Sequence, residues 1–146
     1  MIGVYLVAGT GVVLEKAMDT SRNGSNRYDL VIFDGDGTLW HCLDDEGISL
    51  SDKGLGAGSH EYRFERESDR IIRQGDDRQF ALFPDARKVL EAVERAEVKL
   101  SLASYNYSEP VFDALDAFGI RRYFRHPVAV WTPRKDLMIE LILASL

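Results

Sequence analysis

Apolar residues fall along this chain in blocks whose period changes. Leu30-Val31-Ile32-Phe33 is an unbroken apolar run stopped by Asp34, and residues 98–103 form a second run that ends in a hydroxyl at Ser104. Short apolar runs bounded by Gly, Asp or Ser predict buried strands that open into polar loops. Between and after them the spacing shifts to three and four, in Ala86, Val89, Leu90, Val93 and Ala96, then Val111, Phe112, Leu115 and Phe118, then Leu137, Met138, Leu141 and Ile142. Each set predicts a helix with one buried face. Pro84 suits the first turn of the first helix. Ser108 caps the second, with Glu109 and Pro110 in its first turn, and Gly119 ends it. Thr132 caps the third, with Pro133 at its first position. Residues 128–130 give one more short strand. Strands alternating with helices predict an α/β fold with a parallel sheet and right-handed crossovers.

Two stretches stand outside this alternation. Residues 1–27 carry an apolar segment, Ile2 to Leu14, too short to span a bilayer and without a charged leader. They are read as an extension, an extra strand and turn or a run from an upstream start. Gly9-Thr10-Gly11 is half of a dinucleotide fingerprint and lacks its third glycine. Residues 21–26 form a polar loop. Residues 41–82 are mostly polar: Asp44-Asp45-Glu46 reads as a solvated loop, and Gly54, Gly56 and Gly58 as a flexible segment. Tyr62 and Phe64 alternate with charges, as in a strand. Ile71-Ile72 and residues 80–82 flank Gly75-Asp76-Asp77, a hairpin pattern.

Composition narrows the function classes. At 146 residues, with 45% hydrophobic and 29% charged, the chain is a single globular domain with a core of its own. Its net charge of −6 argues against general nucleic-acid binding, and no segment predicts a membrane span. The basic cluster at residues 121–125 reads as a solvated helix end. One cysteine, Cys42, rules out an internal disulfide framework and suits a reducing cytoplasm.

The chemistry concentrates in Asp34-Gly35-Asp36-Gly37-Thr38. In a parallel sheet, sites gather past the carboxyl ends of strands. Two carboxylates crowded there need a cation or a shared proton, and the glycines, Gly35 first, let backbone amides approach an anion. The apolar run does not resume with period-two alternation after Thr38, which speaks against an Asp-Gly hairpin. The pattern points to a divalent metal and a phosphate, with one Asp free to attack phosphorus. Ser104 ends its strand as Asp34 does, and adjacent parallel strands would bring the two loops together.

An apolar strand followed by Asp-x-Asp-x-Thr resembles the first motif of the haloacid-dehalogenase-like (HAD) phosphohydrolases. Leu39-Trp40 is similar to the continuation in that superfamily's magnesium-dependent phosphatase branch, and to the related domain that loads a phosphoglycerate-derived unit onto acyl carrier proteins. Residues 103–106 look like the second motif, in which Ser104 binds a phosphoryl oxygen and Asn106 is a second donor. The Trp131-Thr132-Pro133 lead-in and Lys135 look like the third motif, a helix-start cation, although Arg134 stands where that cation is expected and competes for the role. Continuation into Asp136-Leu137-Met138 favours Lys135.

The resemblance covers residues 28–146. It implies a Rossmann-like parallel sheet with flanking helices, in which residues 41–82 are a small β-flap in place of a full cap and leave the site open. It also implies a Mg²⁺-dependent phosphohydrolase acting on a phosphorylated small molecule or phosphoprotein. Asp34 would be the nucleophile and Asp36 the general acid–base, and both would bind the metal, Asp36 through its carbonyl. Gly35, Thr38, Ser104, Asn106 and Lys135 would hold the phosphate or the nucleophile loop. The superfamily's fourth motif, a strand ending in an acidic pair, finds no match here. The sheet is therefore expected to lack its last strands and to leave apolar surface uncovered. Two other readings follow: acyl-unit transfer to a carrier protein, and a fragment that binds phosphate without turnover.

Overall fold

The computed structural model describes residues 4–8, 12–16, 29–50 and 53–146, and for residues 4–8 and 12–16 the backbone alone. The strands are β1 (Val4–Ala8), β2 (Val12–Lys16), β3 (Leu30–Phe33), β4 (Trp40–Leu43), β5 (Ser49–Leu50), β6 (Tyr62–Glu65), β7 (Arg70–Arg73), β8 (Gln79–Leu82), β9 (Lys99–Ser104) and β10 (Val128–Ala129). The helices are α1 (Ala86–Arg95), α2 (Ser108–Ala117) and α3 (Lys135–Ser145). They build an α/β fold with two sheets.

In the first sheet, β10, β9 and β3 lie side by side and parallel, with Phe33 level with Leu102 and Ala129 level with Ser104. Alternation along these strands sorts their side chains onto two faces. Leu30, Ile32 and Ala103 pack with Met138 and Ile142 of α3. Phe33, Leu100 and Leu102 face the other way, into a core shared with Leu90 of α1, Val111 and Leu115 of α2, and Trp40, Leu55 and Phe80 of the insert. The parallel core with helices on both faces is what the alternating periods predicted. The N-terminal segment, read as an extra strand and turn, adds β1, parallel to β3 on its outer edge, and β2, which pairs antiparallel beyond it. Gly9-Thr10-Gly11 and the 21–26 loop fall outside the described residues.

The insert is a sheet of its own, antiparallel in the order β5-β4-β8-β7-β6. It is more than the small flap expected. After Thr38, Leu39, Trp40 and Cys42 are all buried, and burial alternates only within β4. No hairpin results, because β4 pairs with β8 rather than with β3. The expected turn at residues 75–77 joins β7 to β8, and Asp44 closes the acidic loop by accepting the backbone N–H groups of Glu46 and Ile48.

Helix boundaries differ locally. α1 begins two residues after Pro84, and its Val89 is 42% exposed. Ser108 is the first residue of α2 rather than its cap, which is Tyr107, and α3 starts at Lys135 with Arg134 before it. Gly119 follows α2 at φ +68°, a left-handed residue that returns its N–H to Asp116 O. On α3, Met138 and Ile142 are buried, whereas Leu137 and Leu141 face outward. Among the described residues no helix is long and apolar enough to cross a membrane.

Candidate functional site

The turn after β3 places both acids at the carboxyl end of the sheet. Gly35 O accepts the N–H groups of Thr38 and Leu39 at 3.1 and 2.9 Å, folding the chain tightly back towards β4. That turn leaves no space above Gly35: a Cβ there would lie 2.7 Å from the Trp40 ring and 3.2 Å from Ser104 Oγ. Only glycine fits beneath the indole.

Asp34 and Asp36 have distinct partners. Asp34 Oδ1 accepts from the Gly35 N–H at 2.9 Å and from Lys135 Nζ at 2.7 Å. The same ammonium also donates to Ala103 O at the end of β9. Asp36 is pinned through both oxygens, Oδ1 by the Trp40 indole N–H at 2.9 Å and Oδ2 by the Asn106 amide at 2.7 Å. Burial pushes the Asp36 carboxyl above the usual carboxylate value. The Asn106 and Trp40 hydrogen bonds oppose that rise, and the Asp34 charge adds to it. Gly54 of the insert lies against the same carboxylate, where a Cβ would come within 3.5 Å of Oδ1.

Residues from three separate parts of the sequence therefore converge: Asp34 and Asp36 after β3, Ser104 and Asn106 after β9, and Lys135 at the start of α3. Ser104 Oγ faces Gly35 and makes no hydrogen bond among the described residues. Of the two candidate cations, Lys135 reaches Asp34, whereas Arg134 turns outward to Asp136 at 2.6 Å. The Gly35 N–H, expected to hold phosphate, is taken by Asp34. Thr38 Oγ1 is buried with no partner among the described residues.

Sequence reasoning missed two participants. Trp40 was read as part of a motif, but its indole also holds Asp36. The Gly54-Leu55 segment was read as flexible, but it covers Asp36 and is anchored from both sides. Arg73 donates to Leu55 O at 2.7 Å, while Asp113 of α2 accepts from Ser59 Oγ and from the His60 N–H at 2.9 and 2.8 Å. No local pattern announces either link, because each joins residues far apart in the chain.

Asp34 Oδ2 and the Asp36 main-chain carbonyl take no hydrogen bond among the described residues. Both are hard oxygen donors of the kind Mg²⁺ accepts. Among the described residues no group of three His, Cys, Asp or Glu side chains is placed to hold a metal ion. A surface depression lined by Glu94, Glu97, Lys99 and Arg122 lies at the start of β9, the opposite end of the sheet from these acids. No family model, no curated protein and no solved structure matches the chain.

Proposed function

We propose that the chain is a phosphohydrolase of the haloacid-dehalogenase-like type, acting on phosphomonoesters through an aspartyl-phosphate. The observation that carries this reading is the contact of Lys135 Nζ with Asp34 Oδ1 at 2.7 Å, beside an Asp36 pinned by Trp40 and Asn106. An aspartate whose second oxygen takes no hydrogen bond among the described residues, faced by a cation and followed by a glycine that lies against the Ser104 hydroxyl, suits attack on an anionic phosphorus centre.

In this reading one oxygen of the Asp34 carboxylate attacks phosphorus as the bond to the ester oxygen breaks. Asp36 gives its proton to that leaving oxygen, and burial, which favours its neutral form, supports the role. Asp36, now a carboxylate, takes a proton from water as the water attacks the aspartyl-phosphate, restoring Asp34 and releasing phosphate. Lys135 and Ser104 Oγ hold the phosphoryl oxygens. Asp34 and the Asp36 carbonyl would hold Mg²⁺, with water and substrate completing its oxygen shell. When bound, Mg²⁺ would shield the negative charge that the attacking carboxylate must approach.

A second reading, phosphate binding without turnover, draws on the lack of a third metal-binding carboxylate among the described residues. Phosphate release from phenyl phosphate, with and without Mg²⁺, separates the two. Mg²⁺-dependent release abolished by Asp34→Asn supports the phosphatase. Release that survives Asp34→Asn excludes Asp34 as nucleophile, and phosphate binding without release supports the second reading.

A further inference from the structure

Three large aromatic side chains stand exposed at the carboxyl end of the parallel sheet: Trp131 at 57%, Tyr105 at 45% and Tyr107 at 40%. They form one cluster. The Tyr107 and Trp131 rings stack at 4.8 Å and 7°, and Tyr105 meets Trp131 at 4.7 Å, tilted by 44°. Val130, 42% exposed, adjoins the cluster, whereas Ile48, Phe64, Val89 and Leu141 lie elsewhere in the chain.

The cluster is tied to the site through the backbone. Tyr105 and Tyr107 flank Asn106, whose amide holds Asp36 and whose Oδ1 accepts the Tyr107 N–H at 2.8 Å. Trp131 follows β10, where the Val130 N–H donates to Ser104 O at 3.2 Å, and it precedes by four residues the lysine that reaches Asp34. The rings therefore sit on the loops that carry Asn106 and lead to Lys135, the residues that hold Asp36 and Asp34. Solvent exposure of this much ring area is costly unless something covers it in use, and aromatic faces favour stacked aromatic partners.

We propose that Trp131, Tyr107 and Tyr105 form a stacking platform that selects phosphomonoesters carrying a flat aromatic group. The proposal rests on the phosphatase reading for its choice of ligand. An aryl phosphate such as phosphotyrosine and a nucleoside monophosphate share this chemistry. A purely structural role is the competing account, in which the rings only clasp the loop after β9 to the loop after β10. Such a clasp would affect every substrate alike.

The test compares kcat and KM for phosphotyrosine amide, a nucleoside 5′-monophosphate and ribose 5-phosphate, in the full chain and in Trp131→Ala, with Mg²⁺ present. The nucleotide and ribose 5-phosphate have the same leaving oxygen and differ by the base. Expected is a rise in KM for at least one aromatic ester about tenfold larger than the rise for ribose 5-phosphate. Which aromatic ester responds identifies the source of the ring. Equal changes on all three substrates overturn the platform and leave the clasp.

A parallel measurement keeps the two readings apart. Phenylphosphonate and cyclohexylphosphonate are titrated against the fluorescence of Trp131, the exposed one of two tryptophans, and by calorimetry against Trp131→Ala. Tighter binding of the flat ring, lost in Trp131→Ala, sustains the platform even if no substrate is turned over, in which case the phosphatase reading alone falls. Turnover without preference for the flat ring removes the platform alone. Neither turnover nor preference removes both.

Discussion

Lys135 and Asp34, 101 positions apart in the chain, meet at 2.7 Å. The contact joins the first turn of α3 to the loop after β3, and the second hydrogen bond of the ammonium, to Ala103 O, takes in β9 as well. Two neighbouring strands and the helix packed against them are thus tied together by one side chain. A cation in the first turn of a helix works against the helix dipole, and here the carboxylate opposite it supplies the compensation.

On the proposed phosphatase reading, replacing Lys135 by Gln is expected to lower kcat for phosphomonoesters about 10²-fold or more, because the charge that would face the reacting phosphoryl group is lost. The fold is expected to lose no more than about 1 kcal/mol, since the pair is partly open to water. Steady-state kinetics beside urea denaturation of the same variant checks both. A large loss of stability with activity retained would sink the assignment.

Gly35→Ala places a methyl group 2.7 Å from the Trp40 ring. Trp40 is fully buried and held to Asp36, so it has little room to retreat. Overpacking of this kind costs about 1–3 kcal/mol. The denaturation midpoint is expected to fall and the near-UV signal of the buried indole to change. An unchanged midpoint would show that the turn relaxes freely.

Asp113 clasps the insert to α2 through Ser59 and His60. Asp113→Ala removes the acceptor for both donors and is expected to cost about 1–2 kcal/mol. Hydrogen exchange followed by mass spectrometry is expected to speed up across residues 53–60 and to stay constant along β3 and β9. Uniform acceleration over the whole chain would instead mean that the clasp stabilises the molecule globally.

Arg73 donates to both oxygens of Asp76 and holds that carboxyl well below the usual carboxylate range. A depressed folded value means that the unfolded chain binds the proton more tightly. The contribution to stability is therefore present above the ordinary value of 3.8 and is lost as pH falls from there towards the depressed value. Asp76 is about half exposed, at 47%, so the net effect is well under about 1 kcal/mol after solvent screening. Asp76→Asn is expected to be less stable than the wild type near neutrality and equal to it in strong acid. A constant difference between the two urea-denaturation series would contradict this.

The parallel core was legible because its determinants are local. The run at residues 30–33 is continuous and apolar, residues 98–103 alternate apolar with polar positions before a hydroxyl, and the helices around them repeat at three and four. The site was legible in part for the same reason: Asp34, Asp36 and Ser104 each sit where an apolar run stops. What was not legible depends on separation in the chain. The pairing of β1 with β3 and the anchoring of Gly54-Leu55 are set by tertiary packing, which leaves no period in the sequence, whereas the hold of Trp40 on Asp36, four residues apart, follows from the tight turn between them. Thr38 was named by its motif position, and its buried hydroxyl has no partner among the described residues.

The insert between β3 and α1 leaves and returns at almost one point. Trp40 and Leu82 are paired neighbours on β4 and β8, and the Phe83 N–H donates to Leu39 O at 3.0 Å. As far as the parallel sheet is concerned, the path from β3 to α1 is that of a short connection, because the ends of the insert are already joined. The second sheet is thus an exchangeable part. Its strands can be lengthened, trimmed or replaced between Trp40 and Leu82 without redirecting the chain on either side, so the covering over Asp36 can vary while the carboxylates beneath it stay in place.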